Sequence, residues 1–325
     1  MGMRRTIKRT ASAGSISLRE AFTEFYTEKE AKNLSASTLR NYRQSYEYFL
    51  DFNGLTEDNL VEEVQQSFFY KWANTMKLEG VKPVSVNHYL RDCRAFFYWC
   101  MDSAREYLPP FKVEMMKGQE EVIKTYTDEE VKALIAKPDT RRASFAEWRT
   151  WAMVSWILAT GNRGATVCEV QIGDINFKSH EIILRHTKSK KAQILPLSAS
   201  LATVLKEYIR IWRAGAPAEA WLFPNVGEAK LTTNALRHSY ARYCSDRGVA
   251  HTNIHGLRHT FAKNWILNEG NIFKLQNVLG HSNLEMTRRY VKLCAEDLKA
   301  DYESHSTLDI ARSPSSRTRK VTRSE

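Results

Sequence analysis

One stretch, WRTWAMVSWILATGNR at 148–163, limits the fold more than any other. Apolar side chains run all the way round a helix built from it, whereas a surface helix carries a single apolar stripe. Such a helix needs partners on every side, so the chain around it must supply them. Gly161 ends it, because glycine accepts the left-handed conformation that closes a helix. Arg163 follows at once. An arginine placed where a buried helix breaks is held by the core and presents its planar fork to a carboxylate of the fold or to a phosphate.

Downstream, three short runs at 174–177, 181–185 and 193–197 read as strands, separated by turn-like SH and by TKSKKA. They predict a small antiparallel sheet. Lys188, Lys190 and Lys191 crowd its second turn, where an ammonium either reaches into a bound polyanion or sits in solvent. Helical periodicity returns after 197, with WLFPN at 221–225 as a loop between helices.

Upstream, 17–104 reads as helices. One that Ser37 caps has Leu39, Tyr42, Tyr46, Phe49 and Leu50 along one stripe and Arg40 and Arg43 off it. Another, starting at Ser85, turns Val86, Leu90, Cys93, Phe97 and Cys100 inward and leaves Arg91 and Arg94 more exposed. Such basic faces suit a DNA backbone as well as solvent.

The length of 325 residues predicts two domains, and 43% hydrophobic residues suffice to give each a core. Periodicity lapses over 105–125, which holds Pro109, Pro110 and Gly118 and so reads as a linker. A capping box from Thr127 to Glu130 then opens a new helix. The expected fold is mainly α with a small antiparallel β-sheet. A flexible basic arm at 1–15 precedes a helical domain at 16–104; beyond the linker, an α+β domain at 126–310 leads to a disordered basic tail at 311–325.

A net charge of +11 points to a polyanionic partner, of which nucleic acid is the commonest. Five cysteines, without a CxxC pair and odd in number, fit the reduced thiols of a cytosolic protein. MGMRRTIKRT has no apolar core after its basic start, so no secretory leader is expected. WAMVSWILAT is too short to span a bilayer. A soluble cytoplasmic protein is the consequence.

The chemistry concentrates in 255–290, HGLRHTFAKNWILNEGNIFKLQNVLGHSNLEMTRRY. His255 and Arg258, three apart on a helix opening near Gly256, share a face and can reach one phosphate. Leu257, Phe261, Trp265 and Ile266 anchor that helix in a core. A second helix, NIFKLQNVL, closes at Gly280, and Ser282 with Glu285 forms the capping box of the helix that carries Tyr290. His281 lies just before that cap. On one continuous helix it would face away from Tyr290, but the turn lets both point into one pocket. Two histidines, an arginine and a tyrosine suit phosphoryl transfer with tyrosine as nucleophile. A zinc reading rests on His251, His255 and His259, four apart. Gly256 opening the helix leaves His251 outside it, and no cysteine or carboxylate completes the set, so no metal is expected.

Taken in order, Arg163, Lys188, HGLR at 255–258, Gly280 with His281, and Tyr290, the chain resembles the tyrosine recombinases, also called the phage integrase family. The resemblance covers the second domain, including TDEEV, TGNR, TKSKKAQILPL and LGHSNLEMTRRY, and the first domain is similar to the family's SAM-like core-binding domain. It implies that Tyr290 attacks a phosphodiester, forming a 3′-phosphotyrosyl link and freeing a 5′-hydroxyl. Arg163 and Arg258 would stabilise the charge that builds on the phosphate, Lys188 would protonate the leaving oxygen, His255 would assist proton transfer at the tyrosine, and His281 would hydrogen-bond the phosphate. A phenol with a free pKa near 10 needs that help. Arginines supply the charge, so neither metal nor cofactor is required.

The chain departs from the family pattern at Thr166, where an acidic residue is usual; Glu169, one turn on, is a candidate substitute. After Tyr290 comes a segment with Leu293, Leu298 and Ile310 as apolar candidates; the resemblance implies that it docks on a neighbouring subunit, in a homotetramer on paired sites of double-stranded DNA, the alternative being that it packs back on its own subunit. The resemblance implies integration and excision of a mobile element through a Holliday junction, or else Xer-like resolution of chromosome or plasmid dimers. A relaxing topoisomerase would use similar chemistry without paired sites. A non-catalytic DNA-binding regulator is the alternative of another class, against which the complete residue set argues.

Overall fold

The computed structural model of the chain describes residues 15–117, 123–185, 192–280, 287, 288 and 290. The chain divides into two compact units, 1–121 and 122–325. It is mainly α-helical with one small antiparallel sheet.

The first unit holds helices α1 (Leu18–Ala31), α2 (Ala36–Asn53), α3 (Gln66–Leu78) and α4 (Pro83–Cys100). Its helix starts correct two sequence expectations. Ser35, not Ser37, caps α2, its hydroxyl accepting from the Thr38 N–H at 3.2 Å. α4 begins at Pro83 rather than Ser85, because proline has its φ preset for the first helical position and lacks only an N–H that has no partner there. The expected inward residues are buried: Leu39, Tyr46, Phe49 and Leu50 on α2, and Val86, Leu90, Cys93, Phe97 and Cys100 on α4. Aromatic rings knit this core. Phe22 stacks on Tyr46 with centroids 4.0 Å apart, and Phe96 meets both rings edge-on. Such contacts add about 0.5–1.5 kcal/mol each beyond the area they bury.

Residues 105–117 form neither helix nor strand, yet they are not a free connection. Leu108 and Val113 are buried in the first core, and the Val113 N–H donates to the Tyr98 hydroxyl at 2.8 Å. Their apolar side chains follow no period, so the sequence carries no sign of this packing.

The second unit is centred on a helix that is buried all round. After α5 (Asp128–Ile135) comes α6 (Phe145–Thr160), then α7 (Gly164–Val167), α8 (Ala199–Trp212), α9 (Thr233–Ser245), α10 (Ile254–Leu267) and α11 (Ile272–Leu279). Helices α5, α8, α9 and α10 all pack on α6. Trp148, Ala152, Met153, Val154, Trp156 and Ile157 of α6 are buried, as its all-round apolarity requires. Fully burying one large apolar side chain stabilises by about 1.5–3 kcal/mol, so this helix anchors the unit. Thr127 and Glu130 form the expected capping box of α5.

The sheet runs β1 (Ile175–Asn176), β2 (Glu181–Leu184), β3 (Gln193–Pro196) in that order, antiparallel, with Ile182 opposite Leu195. β1 is shorter than expected at both ends, and β2 and β3 each end one residue early. Asp174 belongs to a 3₁₀ turn, and Arg185 leaves the ladder to place its Nε 2.6 Å from Asp174 Oδ1. Among the described residues, no helix is long and apolar enough to cross a membrane. The expected arm and tail, the turn at 186–191 and the Ser282–Glu285 capping box lie outside the described residues, apart from Ser15.

Candidate active site

The site is assembled where α6 ends. Gly161 closes that helix with φ +66°, its N–H reaching Ile157 O at 2.8 Å. A Cβ there would lie 2.4 Å from Phe261 Cδ1 and 2.7 Å from Leu279 Cδ2. Glycine is therefore required twice, for its backbone angle and for the close approach of α10 and α11. The next residues are braced from below: Trp156 Nε1 donates to Asn162 Oδ1 at 2.8 Å. Arg163 then stands half-buried at the N-cap of α7.

The start of α10 is clamped in the same manner. Asn253 caps it, its Oδ1 accepting from the His255 N–H at 3.0 Å. The Tyr126 hydroxyl lies 3.0 Å from the carbonyls of both His251 and Asn253, and the Tyr126 N–H donates to Thr260 Oγ1 at 2.8 Å. Gly256 lets this ring in, since a Cβ there would meet Tyr126 Cε2 and His251 Nε2 at 2.9 Å. The helix begins at Ile254, so His251 lies outside it and packs on Tyr126, with ring centroids 4.7 Å apart.

Arg258 is only 2% exposed. It donates from Nη1 to Gly161 O at 2.8 Å and from Nη2 to Leu279 O at 3.0 Å, so one guanidinium ties the ends of α6 and α11 together. Burial first, and then the charge of Arg163, lowers its pKa to about 10, while a hydrogen bond to Tyr290 opposes the shift. It stays charged at neutral pH. His255 is exposed at the start of α10. Desolvation, followed by Arg258 and Arg163, lowers its pKa below the ordinary 6.5.

Tyr290 is 3% exposed and packs with Ala262, Leu275 and Leu279. Its hydroxyl lies 2.9 Å from His259 Nδ1. The ring of His255 meets that of His259 edge-on, with centroids 4.6 Å apart. The structure thus gathers a phenol, two imidazoles and two guanidinium groups, a set able to hold an anion and receive a phenolic proton. No group of His, Cys, Asp or Glu suited to a metal ion occurs among the described residues.

Of the six residues expected in the site, Arg163, His255, Arg258 and Tyr290 come together. Lys188 and His281, with the neighbouring Lys190 and Lys191, lie outside the described residues. The sequence reading missed His259 as a site residue and weighed it only as a zinc ligand, although its spacing of four from His255 puts both rings on one face. Glu169 does not back the arginine: its carboxylate bonds Lys230, while Thr166 is buried. In the first unit Arg40 and Arg91 are exposed, Arg43 lies over the Tyr26 ring at 4.7 Å, and Arg94 over that of Tyr98 at 4.9 Å.

Comparison with known proteins finds relatives of both units. The phage integrase family model matches residues 124–296, and the model of the phage integrase N-terminal SAM-like domain matches residues 20–103. The tyrosine recombinase XerC of Bacillus subtilis is 28% identical over 283 residues, covering 84% of this chain and 91% of its own. The tyrosine recombinase XerA of Thermococcus kodakarensis is 27% identical over 295 residues, covering 89% and 96%. Among solved structures, the Tn1549 transposon integrase in complex with transposon right end DNA has the same fold, with TM-score 0.69 and 17% identity over 85% of this chain and 94% of that one. So does the XerH site-specific recombinase bound to palindromic difH substrate, with TM-score 0.67 and 17% identity over 88% and 84%. On the match over more than half its length, the chain belongs to the phage integrase family, the tyrosine recombinases.

Proposed function

We propose that this chain, a tyrosine site-specific recombinase that breaks and rejoins DNA, integrates and excises a mobile genetic element through a Holliday junction. One observation carries the chemistry: the hydroxyl of Tyr290 is held against Arg258 and His259, with Arg163 near enough to lower the pKa of Arg258. In this reading Tyr290 attacks the scissile phosphate and forms a 3′-phosphotyrosyl bond. The two arginines neutralise the pentacovalent transition state, a kind of contribution worth about 10²–10³ in rate per donor. Lys188 protonates the leaving 5′-oxygen, a histidine of α10 takes up the phenolic proton, and His281 completes the phosphate's hydrogen bonds. The covalent bond conserves the energy of the cut, so religation needs no cofactor.

The first unit follows the DNA backbone through Arg40, Arg43, Arg91 and Arg94, and Lys190 and Lys191 add contacts beside Lys188. Four protomers act on two duplexes, and the segment after Tyr290 docks on a neighbouring subunit. An apolar groove of about 420 Å³ lined by Val131, Leu158, Phe261 and Trp265 offers such a segment a seat. Action on DNA fits a cytoplasmic protein.

A second reading is Xer-like resolution of chromosome or plasmid dimers, favoured by the names of relatives that span most of the chain. A plasmid assay separates the two. With the DNA flanking the native gene as substrate, joining of the two ends into an excised circle supports the mobile-element reading. Exchange only between two copies of one short site supports dimer resolution.

A further inference from the structure

We infer that His259, rather than His255, is the base that takes the phenolic proton of Tyr290, an inference that rests on the recombinase reading above. His259 Nδ1 is 2.9 Å from the Tyr290 oxygen, within direct proton-transfer distance. His259 is half-buried on α10, one turn beyond His255, whose ring abuts it edge-on. His255 itself stands on the arginine side, where Arg258 and Arg163 both act on it. The two histidines thus divide the work: His255 belongs with the phosphate-binding arginines, and His259 with the nucleophile.

Among the described residues of α10, α11 and the stretch before α7, the charged groups are all basic. They are Arg163 before α7, His255, Arg258 and Lys263 on α10, and Lys274 on α11, joined by Arg288 beside Tyr290 and by Lys124 next to Ile123, which packs against the Tyr290 cluster. Such a setting stabilises the negative charge that develops on the phenol oxygen.

The step balances without a co-reactant. His259 carries its proton on Nε2 and a lone pair on Nδ1. The Tyr290 O–H proton moves to Nδ1 as the phenol oxygen bonds to phosphorus. The P–O5′ bond breaks, and the leaving 5′-oxygen takes a proton from Lys188. On rejoining, the imidazolium returns its proton to the departing phenol oxygen.

The test measures single-turnover formation of the covalent adduct on a nicked suicide duplex taken from the DNA flanking the native gene. The same duplex is also made with sulfur in the 5′-bridging position, where the leaving group needs no proton. His259→Asn keeps an acceptor near the place of Nδ1 but cannot hold a proton, and its melting temperature and duplex affinity are measured alongside; His259→Gln stands in if it does not fold. The expected result is a fall of at least about 100-fold at pH 7 on both duplexes, with a rate that climbs as pH rises. Added imidazole restores part of the rate of His259→Ala, whereas Lys188→Ala is slow only on the oxygen duplex. A His259→Asn protein within threefold of wild type, or one restored by the sulfur duplex, overturns the role given to His259 and leaves the recombinase reading standing. A wild-type chain that forms no adduct on either duplex overturns both.

Discussion

The carbonyl of Gly161 accepts a hydrogen bond from Arg258 at 2.8 Å, and through it the end of the most deeply buried helix sets the position of a site arginine. The same glycine has φ +66° and no room for a Cβ, whereas Gly54, at φ +65° in the other unit, has open space around it. Gly54→Ala should therefore cost only the left-handed strain, about 1–2 kcal/mol. Gly161→Ala should add an overpacking cost of about 1–3 kcal/mol. Denaturant unfolding of both variants checks the difference; equal losses would mean that Phe261 and Leu279 yield without cost.

Arg258→Lys keeps the charge but loses the fork that spans Gly161 O and Leu279 O. Covalent cleavage should fall by at least about 100-fold, because the remaining ammonium cannot hold both carbonyls and also face the phosphate. Near-wild-type adduct formation by this variant would show that charge alone suffices there.

The pKa of His255 is lowered, by the protein around its ring and then by Arg258 and Arg163. A folded value below the unfolded one means that the unfolded chain takes up the proton first as pH falls. Stability is thus full above the ordinary value of 6.5 and drops as pH falls from there through the folded value. Unfolding midpoints at pH 7.5 and pH 5 should differ less for His255→Gln than for wild type. Parallel shifts in the two proteins would contradict this.

In the first unit Glu28 shows the opposite sign. Its carboxylate bonds Lys32, accepts from Trp99 Nε1 at 2.6 Å and pairs with Arg105 at 2.6 Å. These contacts, Lys32 first and Trp99 second, hold its pKa down at about 2. The resulting stability is present above the ordinary 4.5 and is lost as pH falls through about 2. With one face of the carboxylate wet, Glu28→Gln should cost about 1–2 kcal/mol at pH 7 and flatten the acid limb of stability. An unchanged acid limb, followed by circular dichroism, would place its origin elsewhere.

Much of this was legible from residue patterns with a short-range physical cause. All-round apolarity announced α6, glycines announced the ends of α6 and α11, and the Thr127–Glu130 box announced α5. The order Arg163, His255, Arg258, Tyr290 pointed to a single site before any geometry was known. What stayed hidden depends on contacts distant in sequence. Leu108 and Val113 pack on the first core without a periodic signal, and Glu169 meets Lys230, 61 residues away. His259 was visible as a residue, but its partner Tyr290 is 31 positions on, and only the fold brings the two together.

The most direct test of the central claim is trapping with wild type and Tyr290→Phe on nicked suicide duplexes from the DNA flanking the native gene, resolved on a denaturing gel. The account predicts a covalent protein–DNA band with wild type alone, joined at the 3′-phosphate, while both proteins bind the duplex equally. An adduct that persists with Tyr290→Phe would assign the nucleophile to another residue. Binding by both proteins with no adduct on any duplex would contradict the enzyme and favour a DNA-binding regulator built on the same fold.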